Sequence, residues 1–151
     1  MLFRSLVLRN PEFVVTAAVR KAAERFGLVE HLDDAEADVT RAIDALRAEG
    51  LFRRPGPELQ LEYPVAGAAE HGVLLGGYID LLGVAQGRIT ILDFKTDAPP
   101  TDGVENVYPE YAAQVSTYAS LVEAAGIAAS GQVRCGLLFA ADGQIRWLSR
   151  F

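Results

Sequence analysis

The stretch GYIDLLGVAQGRITILDFK, residues 77–95, decides the fold. Two apolar runs flank Gln86-Gly87, and a two-residue turn there pairs Ala85 with Arg88 in a β-hairpin. In that register Asp80 lies directly opposite Asp93, and both point to one face. Facing residues on paired strands have Cβ atoms roughly 4.5–5.5 Å apart, and like charges placed there are destabilising. Two carboxylates inside runs as apolar as Tyr78 to Leu82 and Ile89 to Phe94 therefore call for a cation between them, and a divalent metal is the simplest candidate. Lys95, two residues past Asp93, returns to that face because the side-chain period of a strand is two.

The hairpin is apolar on both faces, with Leu81, Leu92 and Phe94 on one and Leu82, Val84, Ile89 and Ile91 on the other. Such strands need cover on both sides, so the chain reads as an α/β fold with a central sheet flanked by helices. Asn10-Pro11-Glu12 is an N-cap followed by proline at the first helical position, and Gly27 closes the segment. That predicts a helix over 11–26 with Val15, Ala18, Val19, Ala22 and Phe26 on its buried stripe. A second helix is expected over 34–49, with Asp33 and Glu36 as a capping box, Gly50 as the stop, and Val39, Ile43 and Leu46 facing the core. After the Arg53-Arg54-Pro55-Gly56-Pro57 loop, Leu59 to Tyr63 alternates as a strand.

Beyond the hairpin, Ala98-Pro99-Pro100-Thr101-Asp102-Gly103 breaks the chain. A third helix is expected from Pro109 to Ala125 with Gly126 behind it, then strands over 132–140 and 144–149 joined through Asp142-Gly143. The order is α, α, β, β, β, α, β, β. Residues 1–50 form an N-terminal helical part and residues 51–151 the sheet-centred core of one compact domain.

At 151 residues, half of them apolar, the chain is long enough to bury one real core and too short for two ordinary domains. The glycine-rich phosphate loop GxxxxGK[ST] is absent, so no nucleotide-driven motor is encoded here. The single cysteine, Cys135, lies in the apolar run Val133 to Phe139 and is expected to be a buried thiol. One cysteine also excludes a four-cysteine zinc or iron–sulfur site within the chain. A net charge of −6 argues against a free-standing domain that grips nucleic acid by phosphate neutralisation alone. If DNA is the substrate, most of the affinity is expected from a larger assembly. No run approaches the ~18 apolar residues of a membrane span, and no cleavable signal stands at the N-terminus, so the expected location is cytoplasmic, away from membranes.

Asp80 and Asp93 sit mid-run, where a strand normally excludes aspartate. Two hard oxygen ligands completed by waters and a substrate phosphate suit Mg2+, with the main-chain carbonyl of Phe94 as a third ligand. Lys95 has two readings: a salt-bridge partner for the aspartates, or a cation that holds the attacking water or scissile phosphate and stabilises charge in the transition state. Glu62 on the preceding strand is either an added acidic ligand or an exposed strand residue. Tyr111, Gln114 and Tyr118 fall on one helical stripe. Tyrosines so spaced usually belong to a core, but an amide among Ala112, Ala113, Val115 and Tyr118 needs a specific partner: a nucleobase, a phosphate or a metal ligand. His71, in the polar Glu70-His71-Gly72 turn, is expected to be solvated, and His31 to be a surface or satisfied core residue.

GYID, twelve residues, DFKTD, then YAAQVSTY and VRCGLLF together resemble the C-terminal nuclease domain of RecB- and AddA-type helicase–nucleases, a branch of the PD-(D/E)XK superfamily. The likeness extends from Leu59 to Leu148. It implies a restriction-endonuclease-like αβββαβ core around a mixed sheet, and a Mg2+- or Mn2+-dependent phosphodiesterase that degrades DNA ends in double-strand break repair. By motif, Asp80 and Asp93 are similar to the metal ligands, Lys95 to the catalytic lysine, and Gln114 with Tyr118 to the QxxxY pair that supports the site or contacts DNA. Thr96 extends the DxKT signature. The implied partners are DNA ends and a helicase, upstream in the same chain or on a partner subunit.

Two features depart from the family pattern. The metal-binding histidine expected on an earlier helix, in a G-x-x-x-H setting, has no counterpart at His31 or His71, and the helicase is missing. Both are expected of a fragment, the tail of a longer helicase chain. The single cysteine argues against the iron–sulfur branches. The rival expectation is a catalytically incomplete nuclease-fold module that binds DNA or docks a helicase.

Overall fold

A computed structural model of the chain describes residues 15–27, 29–52, 57–68 and 73–149. The expected N-cap at Asn10-Pro11-Glu12, the side chain of Val15, residues 53–56 of the proline-rich loop and His71 lie outside the described residues. The elements are helix α1 (Val15–Phe26), a 3-10 turn (Val29–His31), helix α2 (Leu32–Ala48), strands β1 (Glu58–Ala68), β2 (Leu74–Ala85) and β3 (Arg88–Lys95), a short helix α3 (Val104–Val107), helix α4 (Pro109–Ala124), and strands β4 (Val133–Phe139) and β5 (Gln144–Trp147).

Helix α2 departs from expectation at its start. It begins at Leu32 on the 3-10 turn, His31 is its N-cap without a side-chain hydrogen bond, and the Asp33/Glu36 capping box does not form. Glu36 instead accepts a hydrogen bond from the Thr16 hydroxyl of α1. A tertiary contact between two helices has displaced a local cap. The other end follows the sequence: Gly50 takes φ +74°, its N–H donates to the Arg47 carbonyl, and the Leu51 N–H donates to the Leu46 carbonyl. Helix α1 buries Ala18, Val19 and Ala23, whereas Phe26, expected on the buried stripe, is 56 % exposed. Ala18 packs with Ile43 and Val39 of α2, so this stripe meets a helix and leaves Phe26 beyond its edge.

The strands form one sheet in the order β1-β2-β3-β4-β5. All neighbours are antiparallel except β3 and β4, which are parallel and joined across α3 and α4. Gln86 and Gly87 both take positive φ, 51° and 75°, as the expected two-residue hairpin turn requires. Helix α3 lies just past the segment expected only to break the chain. Asp102 organises its start, accepting from the Gly103 N–H at 2.8 Å and from the Asn106 amide at 3.0 Å. Those two bonds, the backbone one foremost, hold its carboxyl below the usual carboxylate range.

Each face of the sheet carries its own core. On one, Leu82, Ile89, Ile91, Leu137 and Phe139 pack with Val115, Tyr118 and Val122 of α4. On the other, Leu81, Leu92 and Leu138 pack with Leu46 of α2 and with Leu51. The helices therefore sandwich the sheet, and α2 shares a core with the strands. Fully buried Leu92 and Ile91, adjacent on β3, serve opposite layers.

The first two strands change faces partway along. On β1, Leu59 and Leu61 pack toward α2, but Tyr63 and Val65 pack toward α4. On β2, Leu81 packs toward α2 while Ile79, of the same parity, joins the α4 side. A period-two strand can do this only through an interruption. It falls at Glu62, which takes φ +52°, between the Leu61–Leu81 and Tyr63–Ile79 pairs and across from Asp80. Because both strands turn over at one level, their register continues on either side.

A left-handed conformation is costly for a residue with a Cβ and worst for a β-branched one. Glu62→Val, the choice strand propensity would favour, is expected to lower stability by about 1–2 kcal/mol. Glu62→Gly is expected to match or exceed the parent. Urea denaturation of the three proteins measures this, and a valine variant more stable than the parent would contradict it.

Candidate active site

Lys95 is the centre of the site. Its Nζ lies 2.6 Å from Asp93 Oδ2, donates to Gln114 Oε1 at 3.2 Å, and stands 3.8 Å from the centroid of the Tyr111 ring. Asp93 and Lys95 project from the same face of β3, as their spacing requires, and α4 brings Gln114 and Tyr111 down onto them. An ammonium has only hydrogens to offer, so the Gln114 amide must present its oxygen. Its nitrogen is then turned the other way, where Nε2 donates to the Tyr118 hydroxyl at 3.0 Å. The partner that Gln114 needed is therefore Lys95 on one side and Tyr118 on the other.

Among the described residues, Asp93 is the only buried polar or charged one, at 5 % exposure. Withdrawing such a carboxylate from water is costly unless it is paired and hydrogen-bonded, and Lys95 supplies the opposite charge at contact distance.

Asp80 is placed differently from expectation. The β2–β3 ladder runs from Ala85–Arg88 to Leu81–Leu92 and stops one step short of Asp80 and Asp93, which are therefore not a facing ladder pair. Past that point Asp80 Oδ2 accepts the Phe94 N–H at 2.8 Å, so a side chain continues what the backbone has left off. The carboxylate rests against the peptide that follows Asp93. The repulsion anticipated from the hairpin register is met within the chain, by Lys95 at Asp93 and by a backbone amide at Asp80. Among the described residues, no group of three or more His, Cys, Asp or Glu gathers in a metal-binding arrangement.

The remaining candidates lie at the margin. Glu62 is half-buried on β1 at the level of Asp80. Thr96 is exposed just past β3, and His31 is exposed at the N-cap of α2. Cys135, expected to be buried, is only half-buried. It lines a groove with Ser116, Ala119 and Ser120 of α4, which are too small to close over it.

Three contributors were not picked out by sequence reasoning. Gly77 passes so close to α4 that a Cβ there would lie 2.6 Å from the Tyr118 hydroxyl oxygen, which makes this glycine the seat of the Tyr118–Gln114–Lys95 chain. Tyr108 stacks on Tyr111 with ring centroids 5.1 Å apart. Asp97 accepts from the Tyr111 hydroxyl at 2.9 Å, and that bond, with desolvation, pushes the phenol above the ordinary tyrosine range. The signals were there, in the glycine before Tyr78-Ile79-Asp80 and in the Tyr108/Tyr111 spacing. Neither has meaning until strand and helix are docked.

A five-stranded mixed sheet between helices, with an aspartate at the open end of a hairpin and Asp-x-Lys on the adjoining strand, is a restriction-endonuclease-like α/β arrangement. A family model described as the PD-(D/E)XK nuclease superfamily matches residues 7–146, and the chain belongs to that superfamily. No curated protein matches it significantly. No helix among the described residues is long and apolar enough to cross a membrane.

Because the Tyr118 hydroxyl crowds Gly77, Gly77→Ala is expected to cost about 1–3 kcal/mol. Tyr118→Phe in the same chain should recover part of that loss, which a double-mutant cycle by chemical denaturation detects. Strict additivity of the two changes would show that the close approach carries no energy.

Proposed function

We propose that the chain is a metal-dependent DNA nuclease domain of the RecB/AddA type, hydrolysing phosphodiester bonds during DNA-end processing and double-strand break repair beside a helicase. One observation carries the reading: a lysine held by Asp93 and Gln114, with Gln114 backed by Tyr118, next to a second carboxylate at the open end of the hairpin. Superfamily membership supports a nuclease-type chemistry. DNA as substrate, the repair role and the helicase partner extend that membership through the sequence resemblance.

The donor set fits a hard divalent cation. Asp80, Asp93 and the Phe94 carbonyl are all oxygens, and Mg2+ keeps several waters while taking only one or two carboxylates. Those three groups would hold Mg2+ or Mn2+, which when bound supplies charge neutralisation and activation of water at the phosphate. Lys95 places a positive charge where negative charge develops on the phosphoryl oxygens. Gln114 sets the direction of that ammonium, and Tyr118 sets the direction of the amide. Glu62 and Thr96 flank the site, as a further acidic group and as the first residue past β3.

A second reading has its own support. Both carboxylates already have partners in the chain, and no third acidic or histidine ligand joins them among the described residues. A nuclease-fold module that binds DNA or docks a helicase without cutting accounts for that.

The purified chain is expected to degrade linear DNA only with added Mg2+ or Mn2+ and to stop when EDTA is added. Asp93→Asn and Lys95→Met are each expected to lower the rate by about 100-fold or more with unchanged circular dichroism. DNA binding without metal-dependent cutting in any form would favour the module instead. The cation also stabilises what it binds. Added Mg2+ should raise the melting temperature of the parent and have little effect on Asp80→Asn; equal shifts in both would remove Asp80 from the metal site.

A further inference from the structure

We propose that Tyr111 is a positioning residue for Lys95, holding its ammonium by the ring face in the direction that Asp93 and Gln114 leave open. The proposal rests on the reading of Lys95 as the group that meets the scissile phosphate, and it adds a residue outside the Gln114/Tyr118 pair.

An ammonium carries three hydrogens. Nζ donates one of them to Gln114 Oε1 at 3.2 Å and forms an ion pair with Asp93 Oδ2 at 2.6 Å, and the Tyr111 ring centroid lies 3.8 Å from Nζ. That separation is well inside the roughly 6 Å over which a ring quadrupole attracts a cation. The chemistry of the third contact differs from the other two. Asp93 supplies an opposite charge, and Gln114 supplies a lone pair that takes up a hydrogen. A π-face attracts the charge without a directed acceptor, so the ammonium is held on that side while its remaining hydrogens stay available to a phosphoryl oxygen. A carboxylate at this position would bind the ammonium more firmly and compete with the substrate.

The ring is itself held from several sides. It stacks on Tyr108 with an interplanar angle of 18°, and Tyr108 in turn packs on Phe139 at 5.9 Å. The Tyr111 hydroxyl donates to Asp97 Oδ2 at 2.9 Å, and the Tyr108 hydroxyl donates to the Ala98 carbonyl at 2.8 Å. Asp97 and Ala98 lie two and three residues past Lys95, so the start of α4 is tied to the segment that leaves β3. A half-buried tyrosine serving only as core would not need its hydroxyl anchored at an exposed aspartate.

The chain has two lysines, Lys21 and Lys95, so lysine-selective 13C labelling gives one reporter at the site and one away from it. The ε-methylene protons of Lys95 are expected upfield of those of Lys21 by the ring current of Tyr111. Tyr111→Phe keeps the ring but loses its anchor at Asp97, so it should weaken the shift without abolishing it and lower kcat about threefold. Tyr111→Leu should abolish the shift and lower kcat about tenfold with KM for linear DNA unchanged. Asp97→Ala, at an exposed position, frees the hydroxyl and should weaken the shift and lower kcat about threefold, which keeps the test in hand if the leucine variant does not fold. Absence of the upfield shift in the parent, or an unchanged kcat in Tyr111→Leu that has lost the shift, overturns the proposal. A parent that shows the shift yet cuts no DNA overturns the nuclease reading alone, because the shift supports the placement of Lys95 without reference to activity.

Discussion

Beyond the Leu81–Leu92 pair, strand β2 parts from β3, and a buried strand cannot leave its amides unpaired at such a place. The Phe94 N–H finds the carboxylate of Asp80. That substitution of a side chain for a backbone acceptor is what sets an anionic group at the end of the hairpin, beside a second aspartate that the strand has buried. Had the ladder continued one more step, Asp80 would have been an ordinary strand residue facing another.

The parting is prepared further out in the sheet. Glu62 and Asp80 occupy the same level on β1 and β2, and there both strands exchange the face they present. The left-handed backbone at Glu62 is a local cost that the layers on either side sustain, with Leu61 and Leu81 committed to the α2 core and Tyr63 and Ile79 to the α4 core. A strained residue directly across from a candidate ligand is a physical link between fold and site. Tyr118 over Gly77 is a second link, since the helix can seat its hydroxyl only where β2 lacks a side chain.

Much of this was legible in the residues. The Gln86-Gly87 turn, the two-faced apolarity of the hairpin and the glycine stops after α2 and α4 are local signals, and each led to the element that forms. The Asp93–Lys95 face followed from the period of a strand, and the Gln114–Tyr118 spacing from the period of a helix. What misled was also local: Asp33 and Glu36 read as a capping box because nothing in that segment shows Thr16 waiting on α1. Phe26 looked buried because periodicity does not say how far the covering surface extends. Cys135 looked buried because a strand pattern carries no information about the size of the helix residues laid over it.

By itself the sequence determined the order of the long helices and the strands, the two-layer cover of the sheet, and the identity of the charged and amide groups that meet at its centre. These depend on periodicity and turn chemistry, which act over a few residues. Only the tertiary structure decided how those groups are joined: that Lys95 answers Asp93, that Asp80 serves a backbone amide, that Tyr111 closes the third side of the ammonium, and that β1 and β2 turn over together at Glu62. Each of those is a contact between segments far apart in the chain. Its energy exists only once both partners have been ordered and water has been removed from between them.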